Sequence, residues 1–228
     1  MKFFPYASTV ESLMYAQVCT RPDLAYIIGM LDRFQSNPGM DHYKAVKKVL
    51  RYLQETKHYM LTYKKSDSLE VIGYADADHA SCVDGRRSTS GYVFTLAGGA
   101  ISWKSYKQSI AIGSTMHVEF LACYEAVGQA VCLKNFIPEL KVVDSILKPI
   151  MLHYDNKAIV FLSSNNKSSG AAKHIDIKYF VVKDRTQDQT VDMMHISTTM
   201  MLVNPLTKGL PPKIFNEHVA GTGLIESL

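Results

Sequence analysis

Cysteine is scarce and unpaired in this sequence. Cys19, Cys82, Cys123 and Cys132 are the only four in 228 residues, and none forms a C-x-x-C spacing. Each sits in an apolar segment, so they read as reduced core thiols rather than zinc ligands or a disulfide framework, and a reducing compartment is expected. Long hydrophobic runs are missing as well: nothing approaches the roughly 18 apolar residues of a membrane span. Phe3-Phe4 is followed at once by Pro5 and a polar mix, which does not make a secretory signal. The expectation is an intracellular chain with no membrane partner. Charge of neither sign dominates. Lys and Arg total 25 against 21 Asp and Glu, for a net charge of +4, which is compatible with a nucleic-acid partner without requiring one. The single tryptophan, Trp103, reads as a core residue before a base-stacking platform. What remains is ordinary globular material, 47% hydrophobic and 20% charged, with room for one or two domains.

The first 66 residues read as helical. Val10, Leu13, Met14 and Val18 recur at helical spacing. Pro22 breaks that helix and suits the first turn of the next, which carries Leu24, Ile27, Ile28 and Leu31. After a turn at Asn37-Pro38-Gly39, a third helix over residues 41–56 gathers Tyr43, Val46, Val49, Leu50 and Leu53 on one face. Lys44, Lys47, Lys48 and Arg51 occupy the other. That basic face is either a solvated surface or a phosphate-contacting one, and the sequence leaves both open.

From residue 69 the texture changes to strands. Val71 to Ala75 is an apolar strand that runs into Asp76 and Asp78. A loop at 84–87, a strand at 89–96, a hairpin turn at 97–100 and a strand from 101 follow, with Gly98 and Gly99 expected to supply the positive φ angles of the turn. Ser114 caps a long helix over 115–140, with Val118, Leu121, Ala122, Ala126, Ala130, Leu133 and Phe136 on its buried side. A fourth strand, 150–154, again ends in an aspartate, Asp155. A short helix at 158–163, a polar loop at 163–170, a helix at 173–185, a strand at 190–196 and a helix at 199–208 complete the pattern, and Pro211-Pro212 is expected to close the regular structure.

Strands in series, then alternating helices and strands, make an α/β fold with a mixed sheet. In such sheets ligands gather at the carboxyl ends of strands. Asp76 and Asp155 stand at strand ends, and Glu119 lies one turn into the intervening helix. Alone, that glutamate reads as a rim residue. Together the three acids form a donor set for a hard divalent cation, which prefers oxygen.

Several ordered runs carry a family resemblance. Gly73-Tyr74-Ala75-Asp76-Ala77-Asp78, Arg86-Arg87-Ser88-Thr89-Ser90-Gly91-Tyr92, Ile101-Ser102-Trp103-Lys104, Ser114-Thr115-Met116-His117-Val118-Glu119, Tyr154-Asp155-Asn156-Lys157, Lys173-His174-Ile175-Asp176 and Asn204-Pro205-Leu206-Thr207-Lys208 resemble the ribonuclease H domain of copia-type LTR retrotransposon Pol polyproteins. Upstream, Thr20-Arg21-Pro22-Asp23 and Val49-Leu50-Arg51-Tyr52-Leu53 resemble the end of the reverse transcriptase that precedes it.

The resemblance implies a ribonuclease H-like mixed five-stranded sheet flanked by helices, with an N-terminal helical segment. It implies residues 1–66 as a remnant of the reverse transcriptase, 67–212 as the ribonuclease H-like domain and 213–228 as a tail. The implied activity is endonucleolytic hydrolysis of the RNA strand of RNA–DNA hybrids, with two Mg2+ or Mn2+ ions held by four acids. Asp76, Glu119 and Asp155 match three of those positions; Asn204 stands where relatives carry an aspartate, keeping one ligand oxygen without the charge. Asp78 is expected in a supporting or surface role. Lys104, Lys107, Asn156 and His174 are the expected nucleic-acid contacts, with a helix-capping role for His174 equally open. No adjacent Asp-Asp pair occurs, so the polymerase metal site is missing, and the polymerase portion of the same polyprotein is a further expected partner. The expected location is cytoplasmic, in a virus-like particle, or nuclear. The alternative is a catalytically decayed fragment that at most binds nucleic acid.

Overall fold

The computed structural model of the chain describes residues 5–65, 69–78, 87–108, 115–140, 148–164 and 173–227. Ser114, Cys82, and most of the expected loops at 84–87 and 163–170 lie outside them.

The N-terminal segment is three helices, α1 (Tyr6–Thr20), α2 (Ala25–Asp32) and α3 (Met40–Glu55). Their facing apolar stripes make one cluster, in which Val10, Ile28 and Val46 are fully buried. Arg21 fixes the corner between α1 and α3. Its guanidinium lies 2.7 Å from Asp23 and 2.8 Å from the Thr56 hydroxyl, and the Tyr52 hydroxyl donates to Asp23 at 2.7 Å. A short strand, β1 (Tyr59–Leu61), ends the segment.

The main sheet follows: β2 (Ile72–Asp78), β3 (Thr89–Leu96) and β4 (Gly99–Lys107), then α4 (Thr115–Glu139), β5 (Ile150–Tyr154), α5 (Lys157–Ser164), α6 (Lys173–Gln187) and β6 (Val191–His195). Its order is β4-β3-β2-β5-β6. β2, β3 and β4 are antiparallel neighbours, whereas β5 runs parallel to both β2 and β6. This is the mixed five-stranded, helix-flanked sheet expected from the sequence. One face packs on α4 and α6 through a contiguous core that includes Phe94, Leu152, Ala126 and Tyr154. The other face is covered by Ala25 of α2 together with Met201, Val203 and Leu206.

Several local expectations are corrected. Asp76 lies inside β2, paired with Gly91, and the strand continues to Asp78. In the β3–β4 hairpin the positive φ angles belong to Ala97 (53°) and Gly98 (77°). Gly99 is instead the first residue of β4, where an added Cβ would stand 2.5 Å from the Thr62 carbonyl. The expected helix at 199–208 is a 3-10 turn, Thr198–Met200, and a separate one-turn helix, α7 (Asn204–Thr207), because Pro205 lacks an N–H and starts a helix rather than continuing one. Regular structure does not end at Pro211-Pro212: Pro212 opens α8 (Pro212–Gly221), and β7 (Leu224–Glu226) pairs antiparallel with β1. Residues 213–226 are therefore not a tail. Of the cysteines described, Cys123 is buried, but Cys19 and Cys132 are exposed, as are Val18 and Phe136. Val18 and Phe136 both stand in the last turn of a long helix. No helix among the described residues is long and apolar enough to cross a membrane.

Candidate metal centre

Asp76 and Asp155 are brought together by strand direction. β2 and β5 are parallel, with Tyr74 opposite His153, so two residues further on both aspartates reach the same edge on the same face. Glu119 enters from the second turn of α4, which packs across β2. One carboxylate oxygen from each of the three lies within 4.8 Å of the others.

Asp76 is the hub. It is 3% exposed, and its Oδ2 accepts from the Thr207 hydroxyl at 2.7 Å and from the Lys208 ammonium at 3.3 Å. Both donors come from the end of α7, which approaches closely because Gly91 carries no side chain; a Cβ there would be 3.1 Å from the Thr207 methyl. Asp155 accepts from the Thr198 hydroxyl at 3.0 Å. Burial, with the charges of Asp76 and Asp155 added, pushes the Glu119 carboxyl up to about 8, against the smaller opposing pull of Lys208 and a hydrogen bond to the Ala77 backbone. Three crowded carboxylates with one adjacent ammonium make a site whose repulsion a divalent cation would relieve. The donors fit Mg2+ or Mn2+: every one is oxygen, and they converge within one coordination sphere's reach.

Asn204 is buried beside this cluster, 3% exposed. Its amide nitrogen donates to the Thr198 carbonyl at 2.9 Å. A carbonyl only accepts, so that bond fixes which way the amide points. The Asn204 Oδ1 is buried and has no hydrogen-bond partner among the described residues, a ligand atom suited to an ion or water. Thr198 thus joins Asn204 to Asp155, while Thr207, on Asp76, also donates to the Asn204 carbonyl at 3.2 Å.

The remaining expected residues separate. Asp78 is half-buried at the end of β2 and is not in the cluster. Sheet alternation puts Lys104, opposite Tyr92, on the α4 face, where its ammonium is 4.0 Å from Glu125. Lys107, in the row of Thr89 and Asp78, lies on the Asp76 face. The Asn156 side-chain oxygen accepts from the Ala158 N–H at 2.9 Å, capping α5. His174 lies in α6, and its side chain is outside the described residues. Trp103 is partly buried and donates to the Gln17 carbonyl at 3.1 Å. Sequence reasoning gives Thr198, Thr207 and Lys208 no role. The available signal is that Thr207 and Lys208 close the Asn204-Pro205-Leu206-Thr207-Lys208 run, while nothing local marks Thr198.

An acid triad at the carboxyl edge of a mixed five-stranded sheet has the ribonuclease H-like architecture. No protein-family model matches the chain. It is 40% identical over 211 residues to the retrovirus-related Pol polyprotein from transposon TNT 1-94 of Nicotiana tabacum, covering 92% of this chain and 16% of that protein. It is 47% identical over 133 residues to secreted RxLR effector protein 161 of Plasmopara viticola, covering 58% of this chain and 94% of that one. Among solved structures, LC11-RNase H1 in complex with an RNA/DNA hybrid is 15% identical at a TM-score of 0.41, covering 58% of this chain and 88% of that chain. That likeness is loose, and the fold assignment rests on the sheet itself. The chain is homologous to a stretch of the Pol polyproteins of copia-type retrotransposons, and spans about a sixth of the tobacco polyprotein's length.

Proposed function

We propose that this chain hydrolyses the RNA strand of RNA–DNA hybrids endonucleolytically, with Mg2+ or Mn2+ held by Asp76, Glu119, Asp155 and the Asn204 amide oxygen. The convergence of the three carboxylates carries the proposal. When bound, divalent ions activate water and stabilise the departing oxygen of an in-line phosphoryl displacement. The chain's own contribution is preorganisation. The Thr207 hydroxyl and Lys208 fix one oxygen of Asp76, so its other oxygen can serve the site without losing rotamer freedom on binding. The Thr198 hydroxyl holds Asp155 in the same way. Lys107 lies on the Asp76 face, which supports a role for it in meeting backbone phosphate. Recognition of this kind is by shape and backbone, because a hybrid's A-like minor groove displays its 2′-hydroxyls rather than a base code. Similarity to the Pol polyproteins supports the reading.

Asn204 favours a second reading, in which the site has lost a charge and the protein only binds hybrid. A labelled hybrid incubated with the protein across a range of Mg2+ and Mn2+ concentrations separates the two. The expected result is cleavage of the RNA strand that falls to background in Asp155→Asn. Binding without cleavage under every condition would establish the second reading.

A further inference from the structure

A groove of about 350 Å³ lies between α3 and the α7–α8 junction. Its floor is apolar, with Leu24, Ile27, Val49 and Pro205, and Lys48 and Lys208 both line it. Lys208 also reaches the Asp76 carboxylate, so the groove and the carboxylate cluster share a side chain. The groove wall is firmly set: the Tyr52 hydroxyl is held by Asp23, and the Tyr52 ring stands edge-on to Phe215 at 6.2 Å.

Lys48 belongs to the basic stripe that the sequence leaves ambiguous. Lys44, Lys47, Lys48 and Arg51 are all exposed. Among the described residues the only ion pair on the stripe joins Lys44 to Asp41 at 3.1 Å, and both partners are so exposed that it is worth little. The stripe from Lys44 to Arg51 spans about 10 Å of helix. That is the length over which a strand rising about 3.4 Å per nucleotide presents several phosphates.

We infer that the basic face of α3 extends the nucleic-acid track. An RNA–DNA hybrid seated at the carboxylate cluster continues across the groove and sets its backbone phosphates on Lys47, Lys48 and Arg51. The inference rests on the ribonuclease reading for what sits at the cluster. Two observations favour a nucleic acid over a solvated surface. One is a cationic row facing solvent that, Lys44 apart, has no acidic partner among the described residues. The other is its continuity with the site through Lys208.

The test uses the full chain in an Asp155→Asn background, so that hybrids with their 2′-hydroxyls intact are bound without being cut. One is short enough to cover only the cluster; the other is long enough to reach α3. Binding is followed by fluorescence anisotropy at several salt concentrations in Mg2+. In K47Q/K48Q/R51Q the slope of log K against log salt should fall by about 0.9 for each phosphate that the variant no longer neutralises. That fall is expected on the long hybrid only, at an unchanged melting temperature. An unchanged slope on the long hybrid would overturn the inference while leaving the ribonuclease reading intact. An equal fall on both lengths would overturn it too, since the stripe would then act at the cluster. If the unaltered chain binds neither hybrid, both proposals fall.

Discussion

The two faces of the central sheet are built in different ways. The α4 face is filled by residues from one continuous stretch of chain, from Val71 to Met193, with large side chains such as Phe94 and Tyr154 at its centre. The opposite face is covered by small patches from far apart in sequence, Ala25 at one end and Met201, Val203 and Leu206 at the other. Glu119 comes from the first face, but the donors that hold Asp76 come from the second. The clustered acids, on a self-contained unit, are thus oriented by a cover of distant parts. The acids can be present while their orientation depends on whether those parts have docked.

Truncating each face should separate its effects. Phe94→Ala, on the α4 face, is expected to cost about 3–5 kcal/mol of stability, read by urea unfolding, while the folded fraction keeps its metal affinity. Leu206→Ala, on the other face, should cost about 2–5 kcal/mol and also weaken metal binding by calorimetry, because α7 carries Thr207 and Lys208. Equal metal affinities in the two variants would erase the distinction. A smaller change, Thr207→Val, removes only the hydroxyl on Asp76. It should lower Mn2+ affinity about 10–100-fold while costing about 1–3 kcal/mol of unfolding free energy, less than the core truncations.

Asn204→Asp sharpens the comparison at the seam between the faces. Without metal the new carboxylate loses its donation to the Thr198 carbonyl and joins three other acids, so stability should fall by about 1–3 kcal/mol. Added Mg2+ should more than restore it, visible as a larger metal-induced rise in melting temperature than in the unaltered chain. No difference in that rise would remove Asn204 from the site. The mildest expected effect is on pH. In the metal-free protein the folded Glu119 keeps its proton up to about 8, whereas unfolded it releases it near 4.5. The folded state therefore binds more protons across that interval, and stability should decline as pH rises through it. Glu119→Gln should flatten the decline, and a curve unchanged by the substitution would place its cause elsewhere.

Much of this is legible in the sequence because it depends on local rules. The strand run into Asp76 and the strand ending at Asp155 have periodicity and length enough to identify, and parallel strands necessarily put their carboxyl ends together. Glu119 follows from its place one turn into α4. The separation of Lys104 from Lys107 is legible in principle, since alternation along β4 sends them to opposite faces. The cover is not legible. Thr207 meets Asp76 across 131 residues, through a helix of four residues too short to have a period of its own. Proline misleads in one direction only: the rule that places Pro22 at a helix start applies equally to Pro212, where two adjacent prolines suggest a stop.

The three-residue ribbon of β1 and β7 has a consequence for how the chain can be divided. Tyr59, Met60 and Leu61 pair with Glu226, Ile225 and Leu224, so the first part of the molecule is hydrogen-bonded to the last. A chain cut after Leu210 would keep Asp76, Glu119, Asp155 and Lys208. It would also leave β1 with a bare edge of unmatched N–H and C=O groups, open to any other strand it meets. Such a fragment would face self-association before it faced loss of its acids. Residues 212–227 therefore cover one edge of β1 and tie the end of the described chain to its N-terminal segment.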